Sequence, residues 1–499
     1  MVSWRSPHQS FFITTGLVRS RLASRLFHPM GFTSPLHSGS KAEGISPCVR
    51  EPGMGRLKTL AGVVVVAGLM AACQSAQDEL PPPASLTAPQ IAENAATPET
   101  EAPLVLMIGL DGLNPSMIDR WEAPNLKALA ARGVRAEAMY PVMPSVTFVN
   151  FYSLATGLYP EHHGMVENYP YDKATDQQFD RATGPTEEHW WQGEPIWVTA
   201  EKQGLPTSIM FWLGSEVPHD GVRPTRWTPY EHNKPYQDRV DEVMAWYDAP
   251  EAELPRFAAV YFDRVDTAAH YFGPGSDKAK EALAEVDGYV GQLAQGLKDR
   301  GLLERTTILV VSDHGMVWVD PEKVMDIGQF LDLDALTVPQ FNGPYGGSNH
   351  PFLHIYGAGD ALETAYEGLK DFDEHIHVYK RGEMPDHYHF DHPTRGPDLF
   401  LVADPGWSVR NANVGGWRAP IPGQHGYDNL DPSMAATFIG AGPIFPEGET
   451  AAPFENVNVY LMIACALGIE PAQTDGNPGV VEMVTGGRCP AARVQAARE

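Results

Sequence analysis

The chain of 499 residues is poor in basic side chains, and this shortage limits what it can bind. Its 36 lysines and arginines face 63 aspartates and glutamates, which gives a formal net charge of −27. Proteins that coat nucleic acid depend on lysine and arginine to neutralise phosphates. The composition therefore argues against a protein that coats a nucleic-acid polymer.

Cysteine is also scarce, with four residues in the whole chain. No pair of cysteines has the Cys-x-x-Cys spacing of thiolate zinc sites, so a metal held by thiolates is disfavoured. Cys465 and Cys489 lie near the C-terminus. In an oxidising compartment they could pair or remain two free thiols, and the sequence leaves both alternatives open.

The apolar run near the N-terminus is shorter than a comfortable membrane span and has the layout of an export signal instead. After Met54 come Arg56 and Lys58, the apolar run Leu60–Leu69 and then small residues before Cys73. A basic start, an apolar segment and small residues are typical of a secretory signal. The end of this segment resembles a bacterial lipoprotein cleavage site, at which Cys73 would become the lipidated first residue. An ordinary cleaved signal is the alternative.

Composition divides the chain into four predicted segments. We expect residues 1–72 to be a mis-assigned start plus the signal, with Met54 as the true start. Residues 73–102 are rich in Pro, Ala, Ser and Glu, and they form a tether because they bury too little to offset the entropy of ordering. Residues 103–475 form one large folded domain, and residues 476–499 form a C-terminal tail.

The leader predicts where the protein resides. We expect export to the periplasmic side of the cell envelope, with a lipid on Cys73 as the only membrane attachment. Gln74 stands where an Asp would favour retention in the inner membrane, so the outer membrane is favoured. The oligomeric state is left open.

Three apolar runs of strand length stand out in the folded part. They are Leu104–Leu110, Phe257–Phe262 and Thr306–Val311. Apolar runs without alternation are typical of strands that are buried on both faces of a parallel sheet. The sequence therefore predicts three central strands of such a sheet.

Helical spacing separates these strands. Asn125–Arg132 predicts a helix with Gly133 as its C-cap, and Lys278–Arg300 predicts a long helix that stops at Gly301. Strands that alternate with helices indicate the α/β class. We predict a doubly wound, mainly parallel sheet flanked by helices, in one domain with loop insertions.

Six potential metal ligands lie directly after the predicted strands or in one later glycine-rich loop. They are Asp111, Asp266, His270, Asp313, His314 and His425. Open α/β sheets bind ligands at the carboxyl ends of their strands. Carboxylate and imidazole suit ions such as Zn²⁺, and three of each suffice for two sites. Asp266 and His270 are four positions apart, so on one helical turn both point at the same ion.

The segments that carry these residues occur in an order that resembles a known family. They are Asp111-Gly112, Thr147-Phe148 with the later TGLYPEHHG, Asp266 to His270 before Gly273-Pro274, Ser312-Asp313-His314-Gly315, and Gly423-Gln424-His425-Gly426-Tyr427-Asp428. Together they resemble the nucleotide pyrophosphatase/phosphodiesterase family of the alkaline phosphatase superfamily, in a bacterial lipoprotein-type member. The resemblance runs from about Leu104 to about Pro471, and it implies an alkaline-phosphatase-like fold with residues 103–475 as the catalytic domain.

The resemblance implies two Zn²⁺ ions and a role for each ligand. Asp266, His270 and His425 match the ligands of the first zinc. Asp111, Asp313 and His314 match those of the second.

The resemblance also implies a nucleophile. Thr147 matches it, with its oxygen on the second zinc. Asn168 matches the residue that donates a hydrogen bond to a phosphoryl oxygen, and the backbone N–H after the nucleophile would be a second donor. A threonine hydroxyl is a poor nucleophile near neutral pH, but coordination to Zn²⁺ stabilises its alkoxide without a neighbouring base.

The surroundings of Thr147 favour a phosphodiester over a phosphomonoester. A monoester dianion calls for extra cations near its terminal oxygens, yet Ser208–Glu216 contains no lysine or arginine, and the nearest basic residue before Thr147 is Arg135. Sulfate esters are disfavoured, because Thr147 stands where sulfatases of this superfamily carry a modified cysteine.

Aromatic side chains predict a slot for a nucleobase. Phe148 and Tyr230 resemble the family's base-stacking residues, and Tyr261 and Phe179 are further candidates. For each of these residues the alternative is an aromatic wall or core side chain. Stacking accepts every base, so specificity among nucleotides would be loose.

We therefore expect an enzyme, a two-zinc phosphodiesterase or nucleotide pyrophosphatase. It would cleave a small nucleotide or phosphodiester through phospho-Thr147 and release a nucleoside 5′-monophosphate. One alternative is a phosphomonoesterase or a phospholipid-type (choline ester) phosphodiesterase of the same superfamily. A second, from another class, is a catalytically silent binding lipoprotein. For the histidine-rich stretch Asp386–His392 a surface loop is favoured over a third metal site.

Overall fold

The computed structural model describes residues 102–343, 346–416 and 418–494. The predicted signal, Cys73 and almost all of the predicted tether lie outside the described residues.

The strands in the described part of the chain are short, apart from those of the central sheet. In chain order they are β1 (Leu104–Leu110), β2 (Gly133–Ala136), β3 (Met139–Tyr140), β4 (Tyr171–Asp172), β5 (Gln177–Gln178), β6 (Thr207–Met210), β7 (Arg226–Thr228), β8 (Phe257–Phe262), β9 (Thr306–Val311), β10 (Val317–Trp318), β11 (Val324–Asp326), β12 (Phe352–Ile355), β13 (Ile376–Lys380), β14 (Leu399–Ala403), β15 (Ser408–Arg410), β16 (Gly423–Gln424), β17 (Phe438–Ala441), β18 (Glu449–Ala451) and β19 (Phe454–Glu455).

Helices lie between most of these strands. In chain order they are α1 (Pro115–Arg120), α2 (Pro124–Ala131), α3 (Thr147–Thr156), α4 (Pro160–His163), α5 (Ile196–Lys202), α6 (Tyr236–Trp246), α7 (Arg264–Phe272), α8 (Asp277–Asp299), α9 (Pro339–Asn342), α10 (Gly359–Leu369), α11 (Val459–Leu467) and α12 (Pro478–Val484). None of the described helices is both long and apolar enough to cross a membrane.

Eight strands form the central sheet, in the order β18-β2-β17-β9-β1-β8-β6-β7. β17 runs antiparallel to both of its neighbours, whereas all other pairs in the sheet are parallel. This arrangement confirms the predicted class, a mainly parallel α/β sheet. The three strands that the apolar runs predict, β9, β1 and β8, lie side by side at its centre.

Helices cover both faces of this sheet. Side chains of α3, α5 and α11 pack on one face, and side chains of α2, α6 and α8 pack on the other. Val105 and Met107 of β1 join the first core, while Leu104 and Leu106 join the second. Burial on both faces is the physical reason why β1 is apolar at every position.

The role of Gly133 differs from the predicted one. The helix expected over Asn125–Arg132 is present as α2, but its C-cap is Arg132, and Gly133 is the first residue of β2. A Cβ atom on Gly133 would lie 2.0 Å from the carbonyl oxygen of Gly440 in β17. The glycine therefore permits the close approach of two strands. The second predicted helix is present as α8, with Gly301 at φ +70° after it.

The chain between β9 and β17 contains an insertion with its own small sheet, in the order β12-β14-β13, and its own apolar core. The described fold also continues past residue 475. Helix α12 lies within the predicted tail, and Cys489 forms a disulfide with Cys465 of α11. Of the two alternatives for these cysteines, the structure therefore shows the disulfide. The bond joins the C-terminal segment to α11, which packs in the main core.

Candidate active site

The six predicted ligands meet at one edge of the central sheet. Asp111 directly follows β1, and Asp313 and His314 follow β9. Asp266 and His270 lie four apart on α7, the helix that follows β8. The parallel strands β9, β1 and β8 end at the same edge, so their following residues come together. His425 reaches the cluster from the loop after β16.

Two groups of these side chains have a geometry that could hold a metal ion. In each group one ligand atom per residue lies within 4.8 Å of the others. The groups are Asp266, His314 and His425, and Asp111, Asp313 and His314. His270 belongs to the same cluster, since its Nε2 atom lies 3.3 Å from Oδ1 of Asp266 and 3.2 Å from Nε2 of His425.

The three imidazoles are oriented alike. In each of them Nδ1 lies next to a backbone carbonyl oxygen. The distances are 2.8 Å from His270 to Gly423, 2.8 Å from His314 to Gly315 and 2.9 Å from His425 to Ser145. A carbonyl only accepts, so each Nδ1 carries the proton and each Nε2 bears a lone pair. The Nε2 lone pairs are therefore left free within the cluster, and a partner on the other ring nitrogen is how metal-ligating histidines are held.

Each of the three carboxylates also has one buried oxygen that lies beside a histidine Nε2 atom, at 2.9 Å for Asp313, 3.3 Å for Asp266 and 3.6 Å for Asp111. Oδ1 of Asp111, Oδ1 of Asp266 and Oδ2 of Asp313 are buried and accept no hydrogen bond from the described residues. Burial, reinforced by Asp313 and Asp266, raises the pKa of Asp111 well above its usual value. Burial likewise raises the pKa of Asp266. Buried acids with unfilled oxygens are stabilised by a bound cation, so the donor set fits metal ions.

The neighbouring rings of His314 and His425 titrate in opposite directions. Their centroids lie 3.6 Å apart, with the ring planes 12° from parallel. Burial and the nearby imidazoles lower the pKa of His425 well below its usual value. Burial also opposes charge on His314, but Asp313 and Asp266 outweigh it and raise the pKa of His314. The two rings thus differ because carboxylates act mainly on His314, whereas neighbouring imidazoles act on His425.

Thr147 is the first residue of α3, and its hydroxyl points into the cluster. Oγ1 of Thr147 lies 3.4 Å from Nε2 of His314, the residue shared by both metal groups. The side chain is half-buried, so a substrate can reach it. The hydroxyl thus lies where an ion held by His314 would contact it.

The side chain of Asn168 contacts the start of the helix that carries Thr147. The backbone N–H of Phe148, predicted as a second donor to the phosphoryl group, donates instead to Oδ1 of Asn168 at 2.8 Å. The first N–H groups of a helix have no acceptor within the helix, and the Asn168 side chain supplies one. The donor left for a phosphoryl oxygen is therefore Nδ2 of Asn168.

Of the four aromatic candidates, two are accessible at the rim of the site and two are tied up in contacts within the protein. Tyr230 is 47% exposed and its ring lies 6.3 Å from that of Tyr261, while Phe148 is half-buried beside the nucleophile. Phe179 is buried and packs edge-on against Phe148, so it is a wall side chain. The hydroxyl of Tyr261 donates to Oδ2 of Asp111, so Tyr261 orients a potential ligand.

An arginine that the sequence did not single out lies at the same site. The guanidinium carbon of Arg181 is 4.7 Å from the ring centroid of Phe148 and 4.5 Å from that of Tyr169. Arg181 is far from Thr147 in sequence and lies in no recognisable motif, so nothing in the pattern signals this contact. The segments around Thr147 in sequence thus lack a basic residue, but in space Arg181 brings a cation against the neighbouring Phe148.

A cavity of about 120 Å³ adjoins His425 and Asn168. It is lined in part by Glu167 and by His350, whose Nε2 atom finds no partner among the described residues. Burial raises the pKa of Glu167 to about 7. The cavity extends the site on the side of His425, and its polar wall could receive a departing group.

The histidine-rich stretch Asp386–His392 is less exposed than a surface loop. Tyr388 and Phe390 are buried in a small apolar cluster, and Nε2 of His392 lies 3.1 Å from Oε1 of Gln192. The alternation of aromatic and polar residues explains this burial, because every second side chain turns inward. Within residues 102–494 as described, the stretch contributes to no metal-binding group.

Comparisons with known proteins agree with this geometry. The family model described as type I phosphodiesterase/nucleotide pyrophosphatase matches residues 105–428. An uncharacterised pyrophosphatase/phosphodiesterase of Schizosaccharomyces pombe is 33% identical over 74% of this chain and 77% of its own length. Human ectonucleotide pyrophosphatase/phosphodiesterase family member 1 is 33% identical over 76% of this chain but only 41% of its own length. A venom phosphodiesterase of Naja atra is 32% identical, with 46% of its length covered. The chain thus spans less than half the length of these animal relatives.

Solved structures lead to the same group of proteins. Murine ectonucleotide pyrophosphatase/phosphodiesterase 5 superposes with a TM-score of 0.71 at 25% identity, over 76% of this chain and 99% of that one. An inactive variant of that murine protein has been solved in complex with AMP, with the same TM-score and identity.

Proposed function

The chain belongs to the type I phosphodiesterase/nucleotide pyrophosphatase family of the alkaline phosphatase superfamily, and from this membership we propose that it is a hydrolase of nucleotides. It cleaves a phosphodiester or pyrophosphate bond of a small nucleotide and releases a nucleoside 5′-monophosphate. The observation that carries the proposal is the position of Thr147, whose hydroxyl meets the imidazole that both metal groups share.

We propose two Zn²⁺ ions as the cofactors of this metal-dependent family. The first is held by Asp266, His270 and His425, and the second by Asp111, Asp313 and His314. The convergent lone pairs and unfilled carboxylate oxygens support this assignment. Zinc supplies Lewis acidity, which favours the ionised form of a hydroxyl and stabilises the oxygen of a leaving group.

Thr147 performs the covalent chemistry in the proposed mechanism. Its Oγ1 loses its proton to solvent and forms a bond to phosphorus while the bond from phosphorus to the leaving oxygen breaks, which gives phospho-Thr147 and a leaving group that takes up a proton from solvent. Water then adds to phosphorus, the bond to Oγ1 breaks, and a proton returns to the threonine oxygen. Asn168 donates from Nδ2 to a phosphoryl oxygen in both steps, and loss of one such donor costs about 10² to 10³ in rate.

Aromatic side chains position the nucleoside in this proposal. Phe148 and Tyr230 stack against the base, and each is accessible at the rim of the site. Tyr261 acts through its hydrogen bond to Asp111 and fixes the direction of that carboxylate. AMP, which was solved in complex with the murine relative, is a nucleoside 5′-monophosphate, the class of product that we propose for this site.

A phosphomonoester is the second candidate substrate, because Arg181 brings a cation near the site. We expect the zinc-loaded protein to hydrolyse the p-nitrophenyl ester of thymidine 5′-monophosphate with a kcat/KM well above that for p-nitrophenyl phosphate. The opposite preference would reject the diester assignment.

Two further measurements test the machinery itself. Thr147→Ala should lower kcat by roughly 10³-fold or more, with an unchanged melting temperature and zinc content. Full activity of this variant would exclude Thr147 as the nucleophile.

Prolonged chelation should abolish turnover, and added Zn²⁺ should restore it.

We further propose export to the periplasmic side of the envelope, with lipidation of Cys73 and cleavage before it. The disulfide between Cys465 and Cys489 supports this proposal, because such bonds persist in oxidising compartments. In this proposal the signal begins at Met54 and ends before Cys73, and residues 73–102 serve as the tether. Labelling with a radioactive fatty acid should mark the wild type and not Cys73→Ala; equal labelling of both would contradict the anchor.

A further inference from the structure

The cavity of about 120 Å³ borders two residues of the proposed machinery, Asn168 and His425. Asn168 is the proposed donor to a phosphoryl oxygen, and His425 is a proposed ligand of the first zinc. A phosphoryl group that accepts a hydrogen bond from Asn168 would therefore lie at the mouth of this cavity. A substituent on its phosphorus atom can then extend into the cavity.

Two side chains of the cavity wall are buried with a polar atom unused. Gln340 is 7% exposed and His350 is 8% exposed, and both line the cavity. The Nε2 atom of Gln340 and the Nε2 atom of His350 make no hydrogen bond to the described residues. A buried polar atom without a partner is unfavourable, so this wall is suited to a polar group inside the cavity.

The wall carries no positive charge that would hold a phosphate. Among its described residues there is no lysine or arginine, and Glu167 adds a carboxyl group. Burial lowers the pKa of His350 to about 4, so its imidazole is neutral at pH 7. A neutral imidazole has one N–H group and one lone pair, and the amide nitrogen of Gln340 only donates. Hydroxyl groups both donate and accept, so they can pair with each of these atoms.

The size of the cavity limits the group that fits. A cavity of about 150 Å³ in another protein holds one benzene molecule, and a water molecule takes about 30 Å³ in the liquid. The observed volume thus suits a group of about five or six non-hydrogen atoms, which is the size of glycerol.

The nucleoside has a different place in the proposed function. Phe148 and Tyr230 are proposed to stack against its base, and neither belongs to the described wall of the cavity. A phosphodiester has two substituents on phosphorus, and an in-line displacement expels the one that lies opposite the entering oxygen. The cavity is thus left for the departing alcohol.

We propose that this cavity is the leaving-group site and binds the hydroxyl groups of a small polyol, so that the substrate is a diester of a nucleotide with a glycerol-like alcohol. The inference rests on the proposed function and deepens it, because it names the second half of the substrate. A nucleoside triphosphate is a poorer fit, since its pyrophosphate would meet Glu167 with no cation beside it in the described wall.

Binding to the inactive variant Thr147→Ala tests the inference without turnover. Calorimetry compares the glycerol ester of AMP with its n-propyl ester, two diesters of equal charge that differ by two hydroxyl groups. We expect the glycerol ester to bind about tenfold more tightly, which corresponds to two ordinary hydrogen bonds.

Substitutions in the Thr147→Ala background identify the wall atoms. Gln340→Met and His350→Phe each remove one unused polar atom, so each should reduce the preference about threefold and leave the affinity for ATP unchanged. His354→Phe is the matched control, because His354 is also buried with an unpartnered Nε2 atom but is not part of the described wall. It should keep the full preference. Melting temperatures identify the variants that fold, and either wall variant suffices for the test.

Equal affinities for the two esters in Thr147→Ala would overturn the inference and assign the cavity to bound water only. A preference that survives in Gln340→Met and His350→Phe would overturn it as well. An equal loss for ATP would assign the cavity to an anionic leaving group instead. Turnover by the wild type tests the proposed function separately: tight binding of the glycerol ester without hydrolysis of either ester would reject that function and leave the polyol site intact.

Discussion

Asn168 uses the two ends of its side-chain amide for different purposes. Its Oδ1 atom accepts the N–H of Phe148, which begins the helix that carries Thr147. Its Nδ2 atom is left for the substrate. In the proposed mechanism, stability and catalysis would therefore depend on different atoms of one residue.

Substitution of Asn168 should separate these two effects. Asn168→Asp keeps an acceptor for Phe148 but lacks the amide donor, so we expect kcat to fall about 10² to 10³-fold with little change in melting temperature. Asn168→Ala should show the same fall in kcat. It should also lose about 1 kcal/mol of stability, because the N–H of Phe148 at the start of the helix loses its acceptor. Equal melting temperatures of the two variants would contradict the structural half of this assignment.

Residue types predicted which acidic and imidazole side chains would cluster, but they did not predict the rim of the site. Asp111, Asp313 and His314 could be placed because each follows an apolar strand, and strand ends converge. Arg181 could not, because its position depends on the course of a loop that carries no period. For the same reason, the sequence could not indicate that the N–H of Phe148 is already bonded to Asn168.

At the scale of secondary-structure elements, the contact between α7 and β16 fixes the position of His270 relative to His425, two proposed ligands of the first metal. Nδ1 of His270 contacts the carbonyl of Gly423, and a Cβ atom on Gly423 would lie 2.3 Å from the carbonyl oxygen of Ala269. Helix and strand therefore touch through backbone atoms. His425 follows β16 directly, so any shift of this strand moves a ligand.

Gly423→Ala should accordingly weaken metal binding. The added methyl group pushes β16 away from α7, so we expect at least a tenfold lower zinc affinity by competitive chelation, together with reduced kcat. Gly288→Ala in α8 is the control, because nothing lies within 4 Å of its Cβ position and alanine favours a helix. It should keep full zinc affinity and gain up to about 1 kcal/mol. Unchanged zinc affinity in Gly423→Ala would show that the contact does not set the register.

Elements buried on both faces were the easiest to predict. The bounds of β1, β8 and β9 match the apolar runs, because continuous burial leaves a continuous signal. Gly133 was misread because a glycine after a helix looks the same whether it caps the helix or lets strands approach. In the small sheet of the insertion, β13 gave no comparable signal because it is only partly buried.

Across the whole molecule, buried neutral histidines make stability depend on pH. Burial lowers the pKa of His163 to about 3 and that of His354 to about 3. In the unfolded chain a histidine titrates near 6.5. Between these values the unfolded state binds more protons than the folded state, so stability is complete above about pH 6.5 and falls as the solution is acidified.

His354→Gln should reduce this dependence. Each such histidine contributes a slope of about 1.4 kcal/mol per pH unit, so between pH 6 and 4.5 the variant should lose that share of the wild-type slope in denaturant unfolding. Release of metal affects both proteins alike and cancels in the comparison. His189→Gln, at an exposed position, should keep the full wild-type slope. A steeper slope in His354→Gln would reverse the sign of this assignment.

The wide spacing of the ligands along the chain has a consequence for biosynthesis. Asp111 leaves the ribosome long before His425, and the antiparallel strand β17 follows later still. A nascent chain can thus assemble Asp111, Asp313 and His314 before the last ligand exists. In the proposed two-metal site, an ion bound to that early trio would meet no competition from the complete site. Correct loading would then require that the chain meets its metal only after synthesis is complete.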